Sequence, residues 1–238
     1  MKTLVEKILS KIGIQIRRYP DFDLVRRMKI VNQYHINTLI DIGANAGQYA
    51  VNMRKIGYCG KIISFEPLKS AFAELKKNSS KDNNWIVNNY ALGNENAESR
   101  INFGSNSFFS SILNMLPTVI KSAPEAVFTS QEEIEIKKID TVFNSFCTKK
   151  DSVMIKIDTQ GYEKNVLEGA TESLKNIKII QIEMSLVRLY ENEMLFLEVI
   201  NYLYDKGFQL FSLENGFSDS TTGRLLQVDG IFVQKERS

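Results

Sequence analysis

Hydrophobic positions along this chain of 238 residues follow two different periods, and their order predicts a layered α/β fold. Short apolar runs, typical of buried strands, occupy 37–42, 60–66, 85–90, 152–158, 177–183, 207–213 and 229–234. Apolar residues at helical spacing fill the stretches between them, at 46–57, 68–78, 162–175 and 192–206. Strands that alternate with helices of this length indicate a parallel sheet with helices on both faces.

Three stretches depart from this alternation. Residues 133–137 alternate polar and apolar side chains and predict an edge-like strand, whereas 97–127 is rich in Ser and Asn and less regular. Only a turn-rich segment, 214–227, separates the last two strands. A parallel pair needs a crossover of a dozen or more residues, usually a helix, so we expect these two strands to be antiparallel.

The N-terminal residues differ from the rest in charge. Residues 1–30 hold eight Lys or Arg and three acids, although the whole chain has a net charge of only +2. Apolar residues at helical spacing in the first dozen positions predict one helix, and a second begins after Pro20 with Asp21 or Asp23 as its cap. We therefore expect a helical appendage at 1–36 and a main domain at 37–238. Its basic segment, 1–18, suits peripheral contact with an anionic membrane or a partner enzyme, or packing on the domain itself.

Composition excludes several classes of protein. Cys59 and Cys147 are far apart and form no C-x-x-C, which indicates reduced thiols rather than a disulfide framework or zinc site. His35 is the single histidine, so Ser-His-Asp and H-E-x-x-H chemistry are excluded. The near-neutral balance predicts no nucleic-acid partner. Without a signal peptide or an apolar run of about 18–20 residues, we expect a cytoplasmic protein, with peripheral contact at the inner face of the membrane if 1–18 binds lipid.

The first two strands end in residues suited to a nucleotide-like cofactor. The first contains Asp41 and runs into a turn with Gly43, Asn45 and Gly47 before a helix; the second ends in Glu66. Parallel sheets present such cofactors to a helix N-terminus, and an acid after the second strand can accept hydrogen bonds from two ribose hydroxyls. All five residues are candidate cofactor-binding residues. A glycine-rich turn without a ligand is the alternative.

The turn also indicates which cofactor is bound. A dinucleotide fingerprint places a second glycine where this chain has Asn45, because that glycine lets the backbone approach a pyrophosphate. A cofactor with a ribose and no phosphate fits this turn better, which favours S-adenosylmethionine (SAM).

A polar stretch follows the central strand 152–158. Strand alternation places Lys156 and Asp158 on one face, and both are costly to bury unless they are paired. We expect them to face a polar site or each other. A structural ion pair in which Asp158 caps the next helix is the alternative.

Two loops are further candidates. Ser110 and Ser111 lie in an aromatic- and hydroxyl-rich stretch that can form a lid over an acceptor, or a surface loop whose phenylalanines enter the core. Asn89 and the backbone at Ala91 follow the third strand, where they can read an adenine edge or form a polar turn.

Taken in order, these motifs resemble the FkbM-type SAM-dependent methyltransferases over roughly 37–234. The resemblance rests on Asp41–Gly47, Phe65–Pro67, Asn89–Gly93, Ser110–Ser111, Lys156–Glu163, Val166–Ala170 and Ile182–Glu183. It implies a class I, Rossmann-like α/β fold whose doubly wound sheet has seven strands, mostly parallel, with an antiparallel last strand. It also implies O-methylation of a hydroxyl, typically on a sugar or polyketide-like acceptor. Family members often accompany glycan pathways, which makes a glycosyltransferase a candidate partner for 1–18.

An alcohol loses a proton when it is methylated, and a positioned base contributes about 10²–10⁴-fold. Since no second histidine is present, we predict Asp158 as the base, with Lys156 orienting it or polarising the acceptor. Glu163 would join the catalytic wall, and Glu183 would contact the acceptor.

Four alternatives to this mechanism and function remain open. Thr159 and Gln160 follow Asp158 in place of further acids, so we expect no metal, although a Mg²⁺-assisted variant is an alternative. A carboxylate acceptor would need positioning but no base. An NAD-dependent oxidoreductase and a non-catalytic docking module are the remaining alternatives.

Overall fold

The structure is a computed structural model that describes residues 19–235. Its strands are β1 Thr38–Ile42, β2 Lys61–Phe65, β3 Trp85–Asn88, β4 Ala91–Gly93, β5 Ala97–Phe103, β6 Ser130–Lys138, β7 Val153–Ile157, β8 Ile177–Ser185, β9 Phe208–Asn215 and β10 Gln227–Gln234. Its α-helices are α1 Phe22–Gln33, α2 Gln48–Lys55, α3 Lys69–Ser79, α4 Pro117–Ser122, α5 Ile139–Phe146, α6 Glu163–Glu168 and α7 Phe196–Asp205.

Seven strands form the main sheet in the order β3-β2-β1-β7-β8-β10-β9. The pairs from β3 to β8 are parallel, and β10 is antiparallel to both β8 and β9. This arrangement confirms the predicted fold class, including the antiparallel last strand.

The central strands are buried on both faces because alternate residues pack into two apolar layers. Ile40 and Ile155 point into the layer that contains α5, α6 and α7. Leu39 and Met154 point into the opposite layer, with residues of α1, α2 and α3. Every residue of β1 and β7 is buried, as the continuous apolar runs predict.

A second, three-stranded sheet, β4-β6-β5, was not predicted. The strand expected at 133–137 exists as β6, but it pairs with a strand on each side, so its edge-like description is wrong. β5 lies in the stretch 97–127, for which the sequence predicts irregular structure. At 97–100 the strand alternates exposed charged residues with half-buried small ones, and this pattern lacks the apolar positions that mark a strand.

The helix expected at 162–175 is also interrupted. α6 ends at Glu168, and a separate 3₁₀ turn follows at 173–176. Gly169 lies so close to the neighbouring chain that a Cβ there would be 1.8 Å from the carbonyl oxygen of Gly93. This contact between α6 and β4 ends the helix early.

At the N-terminus, α1 begins where the sequence predicts, since the carboxylate of Asp21 accepts a hydrogen bond from the amide of Leu24 at 2.8 Å. The helix predicted in the first dozen residues, and the whole basic segment 1–18, lie outside the described residues. Within 19–235, no helix is long and apolar enough to cross a membrane.

The two-faced burial of the central strands predicts unequal costs for one substitution at two sites. Ile155→Ala in β7, where the side chain is fully buried, should lower the free energy of unfolding by about 2–5 kcal/mol. The matched control is Ile86→Ala on the edge strand β3, where 41% of the residue is exposed, and it should cost much less. Urea denaturation of both variants measures the difference, and equal costs would contradict the packing described here.

Candidate functional site

A cavity of about 430 Å³ lies at the carboxyl ends of the parallel strands, the edge at which open α/β sheets bind ligands. Its floor comes from the ends of β1, β2, β7 and β8. Residues 107–112 form one wall, and the beginning of β10 contributes another.

The turn after β1 folds tightly against β7. Gly43 has φ +76°, and a Cβ there would lie 1.9 Å from the carbonyl oxygen of Asp158, so only glycine fits. The amides of Gly43 and Ala44 both donate to the carbonyl oxygen of Phe65, at 3.1 and 3.0 Å. These contacts fix the turn between the two neighbouring strands.

Glu66 occupies the place expected of a ribose-binding acid. Its carboxylate lines the cavity and accepts hydrogen bonds from the amides of Asn45, at 2.8 Å, and Leu68, at 2.9 Å. Each oxygen keeps a further lone pair for a hydroxyl donor. Burial raises the pKa of Glu66 to about 7. This geometry fits a cofactor with a ribose diol.

The remaining predicted cofactor residues take different positions. Gly43, Asn45 and Ala91 line the cavity. Asn89 instead braces the turn below Glu66, because its side-chain amide donates to the carbonyl oxygens of Glu66 and Pro67, both at 2.9 Å.

Gly47 also serves the turn. It has φ +86°, and a Cβ there would meet Leu75 and Trp85 at 2.8 Å, which is the close helix packing that a glycine permits.

Asp41 is fully buried and does not line this cavity. Neither of its carboxylate oxygens has a hydrogen-bond partner among the described residues, and the nearest cation is the Nζ of Lys156, at 3.7 Å. Burial raises its pKa. Asp41 therefore acts on the site through Lys156.

Lys156 and Asp158 lie on one face and pair with each other, as strand alternation predicts: the Nζ of Lys156 is 3.0 Å from an oxygen of Asp158. Burial alone would lower the pKa of Lys156, but the charges of Asp158 and Asp41 outweigh burial and raise it. The second oxygen of Asp158 accepts a hydrogen bond from the side-chain amide of Gln160 at 2.9 Å. With 33% of its side chain exposed, Asp158 faces the cavity in one fixed orientation.

Glu183, another acid of the site, is held by hydrogen bonds from two amide side chains. Gln160 and Gln227 both donate to one oxygen of Glu183, at 3.0 and 2.7 Å, and Tyr190 donates to the amide oxygen of Gln160 at 2.9 Å. Burial, together with the charges of Asp158 and other nearby acids, raises the pKa of Glu183 well above its usual range. Glu183 lines the cavity.

Gln160, Gln227 and Asp229 were missed in the sequence. Burial and the charge of Asp158 raise the pKa of Asp229 to about 6. Gln160 lies within the Lys156–Glu163 motif, in which only the charged residues are predicted as candidates. No local pattern marks Gln227 and Asp229, because they reach the cavity from the beginning of an antiparallel strand.

Glu163 lies elsewhere than expected. One of its oxygens accepts hydrogen bonds from the amide and hydroxyl of Thr159, at 2.8 and 3.0 Å, and from the amide of Gly161, at 3.3 Å. Its carboxylate accepts these hydrogen bonds from the loop that carries Gln160. In the described structure Glu163 is therefore not part of the cavity wall. The sequence feature that points to this role is the position of Glu163 at a helix N-terminus, where acidic side chains accept hydrogen bonds from backbone amides that have no partner within the helix.

The loop with Ser110 and Ser111 forms part of the cavity wall. The hydroxyl of Ser111 is buried and donates to the carbonyl oxygen of Gln160 at 2.6 Å. At the other end of the loop, the side-chain amide of Asn45 donates a hydrogen bond to the hydroxyl of Ser107 at 3.0 Å, and this contact joins the loop to the cofactor turn. The Ser110 hydroxyl borders the cavity, and it is buried without a hydrogen-bond partner in the part of the chain that the structure describes.

The acids around the cavity are not grouped as metal ligands. Across residues 19–235, no group of three or more His, Cys, Asp and Glu side chains is placed to hold a metal ion.

A sheet of this order, a glycine turn after its first strand and an acid after its second define a methyltransferase of the SAM-dependent class. Residues 41–210 match the sequence model of the methyltransferase FkbM domain. The chain belongs to the FkbM methyltransferase family, and SAM is its methyl donor. This confirms the resemblance and the predicted cofactor.

A curated relative, "Methyltransferase 1" of Beauveria bassiana (strain ARSEF 2860), is 23% identical over 181 residues, 71% of each chain. Among solved structures, TehB from Haemophilus influenzae has a TM-score of 0.50 at 12% identity, covering 97% of this chain and 67% of its own. The structure of M. capricolum TrmK in complex with S-adenosyl-homocysteine (SAH) has a TM-score of 0.48 at 11% identity, covering 92% of this chain and 70% of its own. At these identities, the solved structures bear on the fold alone.

The raised pKa of Glu66 predicts pH-dependent cofactor binding. A protonated carboxyl has fewer acceptor sites for ribose hydroxyls, so affinity for SAH should rise as pH increases toward about 7 and level off above it. Calorimetric titration with SAH from acidic to mildly alkaline pH measures this. Glu66→Gln should bind more weakly and lose this rise, whereas the control Glu98→Gln, on β5, should keep it. A flat profile in the unmodified protein would contradict the role of Glu66.

Proposed function

We propose that this enzyme is an O-methyltransferase that transfers the methyl group of SAM to a hydroxyl of a small-molecule or glycan acceptor, with a sugar as the favoured class. The observation that carries the proposal is the placement of Asp158. Its carboxylate faces the cavity, beside the cofactor turn, and both oxygens are held, one by Lys156 and one by Gln160.

When bound, SAM supplies a methyl group on a sulfonium, which an oxygen nucleophile attacks in line. The chain must then position the acceptor hydroxyl and accept its proton. Asp158 can do both, because a carboxylate oxygen that accepts one hydrogen bond retains a lone pair for a second. Lys156 fixes the direction of the Asp158 carboxylate, and Asp41 balances the charge of the lysine from beneath.

The wall beyond Asp158 supports a neutral, hydroxyl-rich acceptor. Gln181 and Gln227 offer amide groups, and Glu183 and Asp229 offer oxygens, so donors and acceptors are both present. A carboxylate acceptor would meet Asp158 and these acids, and like charges disfavour it. This acidic lining favours the alcohol over the carboxylate alternative.

A panel of methyl glycosides, simple polyols and carboxylic acids, incubated with enzyme and SAM, tests the proposal by mass spectrometry. We expect a methyl ether from at least one methyl glycoside. Methyl esters from the acids alone would contradict it. In parallel, thermal unfolding with SAH and with NAD separates the cofactor alternatives, since a ligand that binds only the native state raises its stability.

Removing the base should slow the chemical step and leave cofactor binding intact. For Asp158→Asn, we expect kcat with the glycoside substrate to fall by about 10²–10⁴-fold, because the amide cannot accept the proton. The dissociation constant for SAH should stay near that of the unmodified enzyme. The control is Asp205→Asn, an exposed acid at the end of α7, which should retain full activity. Undiminished kcat in Asp158→Asn would exclude Asp158 as the base.

A further inference from the structure

The far end of the cavity is built largely by parts of the chain outside the matched range 41–210. Arg27 comes from α1, and Phe217, Gln227 and Asp229 follow from the end of β9 onward. These residues lie beyond Asp158 as seen from the cofactor turn at Gly43 and Glu66. They therefore border the region that remains for the acceptor.

Among them, Arg27 is held rigidly. Its Nη2 lies 2.5 Å from an oxygen of Glu214, and its guanidinium carbon lies 4.8 Å from the centre of the Tyr49 ring. Tyr49 is held in turn, because its hydroxyl donates to the side-chain oxygen of Gln181 at 2.7 Å. Only 12% of the Arg27 side chain is exposed, although it lines the cavity.

The hydrogen bonds of Arg27 are incomplete. A guanidinium carries five N–H donors, but among the described residues Arg27 donates only through Nη2, to Glu214. Within residues 19–235, its Nε is buried without a hydrogen-bond partner, and so is the second oxygen of Glu214. Buried polar groups are nearly always satisfied, and a buried cation with spare donors beside a cavity is suited to an incoming oxygen.

We propose that Arg27 is an acceptor-binding residue, which donates hydrogen bonds from its guanidinium to an oxygen of a neutral, hydroxylated acceptor. Asp229 and Glu183 border the same space and accept from hydroxyl groups of that molecule. Selectivity for the acceptor then depends on α1 and on the chain after residue 210, whereas the matched range binds SAM and holds the base. This inference rests on the proposed function.

The test compares Arg27→Lys, Arg27→Gln and the double variant Arg27→Gln/Glu214→Gln, using the methyl glycosides that the unmodified enzyme methylates. The double variant removes both charges, so that no unpaired Glu214 remains to destabilise the fold. The matched control is Arg26→Gln on the same helix, where Arg26 pairs with Asp23 and contacts β9.

We expect KM for the methyl glycoside to rise about 10- to 100-fold in both Gln variants, the loss typical of a hydrogen bond to a charged group. Arg27→Lys should recover only part of this, because an ammonium lacks the planar fork. The dissociation constant for SAH and the kinetics of Arg26→Gln should not change.

Two outcomes would overturn the inference while the proposed function stands. One is an unchanged KM in a folded double variant. The other is a rise in the SAH dissociation constant that matches the rise in KM, which would give Arg27 a structural role. If no methyl glycoside is methylated by the unmodified enzyme, the proposed function fails, and this inference fails with it.

Discussion

A buried lysine at the centre of the sheet is the constraint on which the site depends. Lys156 lies on β7 in register with Asp41 on β1, and an ammonium in this position is tolerable only when acids surround it. Asp41 supplies one negative charge from below the cavity, and Asp158 supplies another at its surface. The three charges tie the ends of two neighbouring strands into one unit.

This unit positions the cofactor turn relative to the carboxylate of Asp158. The amide of Asp158 donates to the carbonyl oxygen of Ile42 at 3.1 Å, and Gly43 then passes within van der Waals contact of the Asp158 backbone. A side chain at position 43 would push the two turns apart. The close approach of Gly43 to the Asp158 backbone therefore leaves space for a ribose on one side and places the Asp158 carboxylate on the other. Backbone contacts, rather than flexible side chains, fix the distance between the two turns.

Local sequence signals account for most of the sheet and for the cofactor end. Apolar runs bounded by turns specify each strand of the main sheet, and the acid-glycine turn and Glu66 are contiguous motifs whose position in a parallel sheet is known once the strands are placed. Lys156 and Asp158 could be paired because strand alternation alone puts residues two apart on one face.

The remaining features depend on contacts between residues distant in sequence, which no local period reports. β5 pairs through backbone hydrogen bonds and carries few apolar residues, so its sequence resembles a loop. Glu163 looks like an active-site acid, yet its amide partners lie within its own turn. Arg27 reaches the cavity only because α1 packs beside β9, where Glu214 fixes it.

The antiparallel insertion of β10 adds a third acid to the end of the cavity that is farthest from the cofactor turn. Because β10 runs against β8, its first residues lie at the carboxyl edge of the sheet, where Asp229 faces Glu183 on one side and Glu214 on the other. Burial raises the pKa values of all three acids, and repulsion from Asp158 adds to this effect at Glu183 and Asp229. Lys156 and Arg27 stand at the two ends of this group and limit its charge. A parallel β10 would have placed Asp229 at the opposite edge of the sheet, and this end of the cavity would have lost the acid that lies between Glu183 and Glu214.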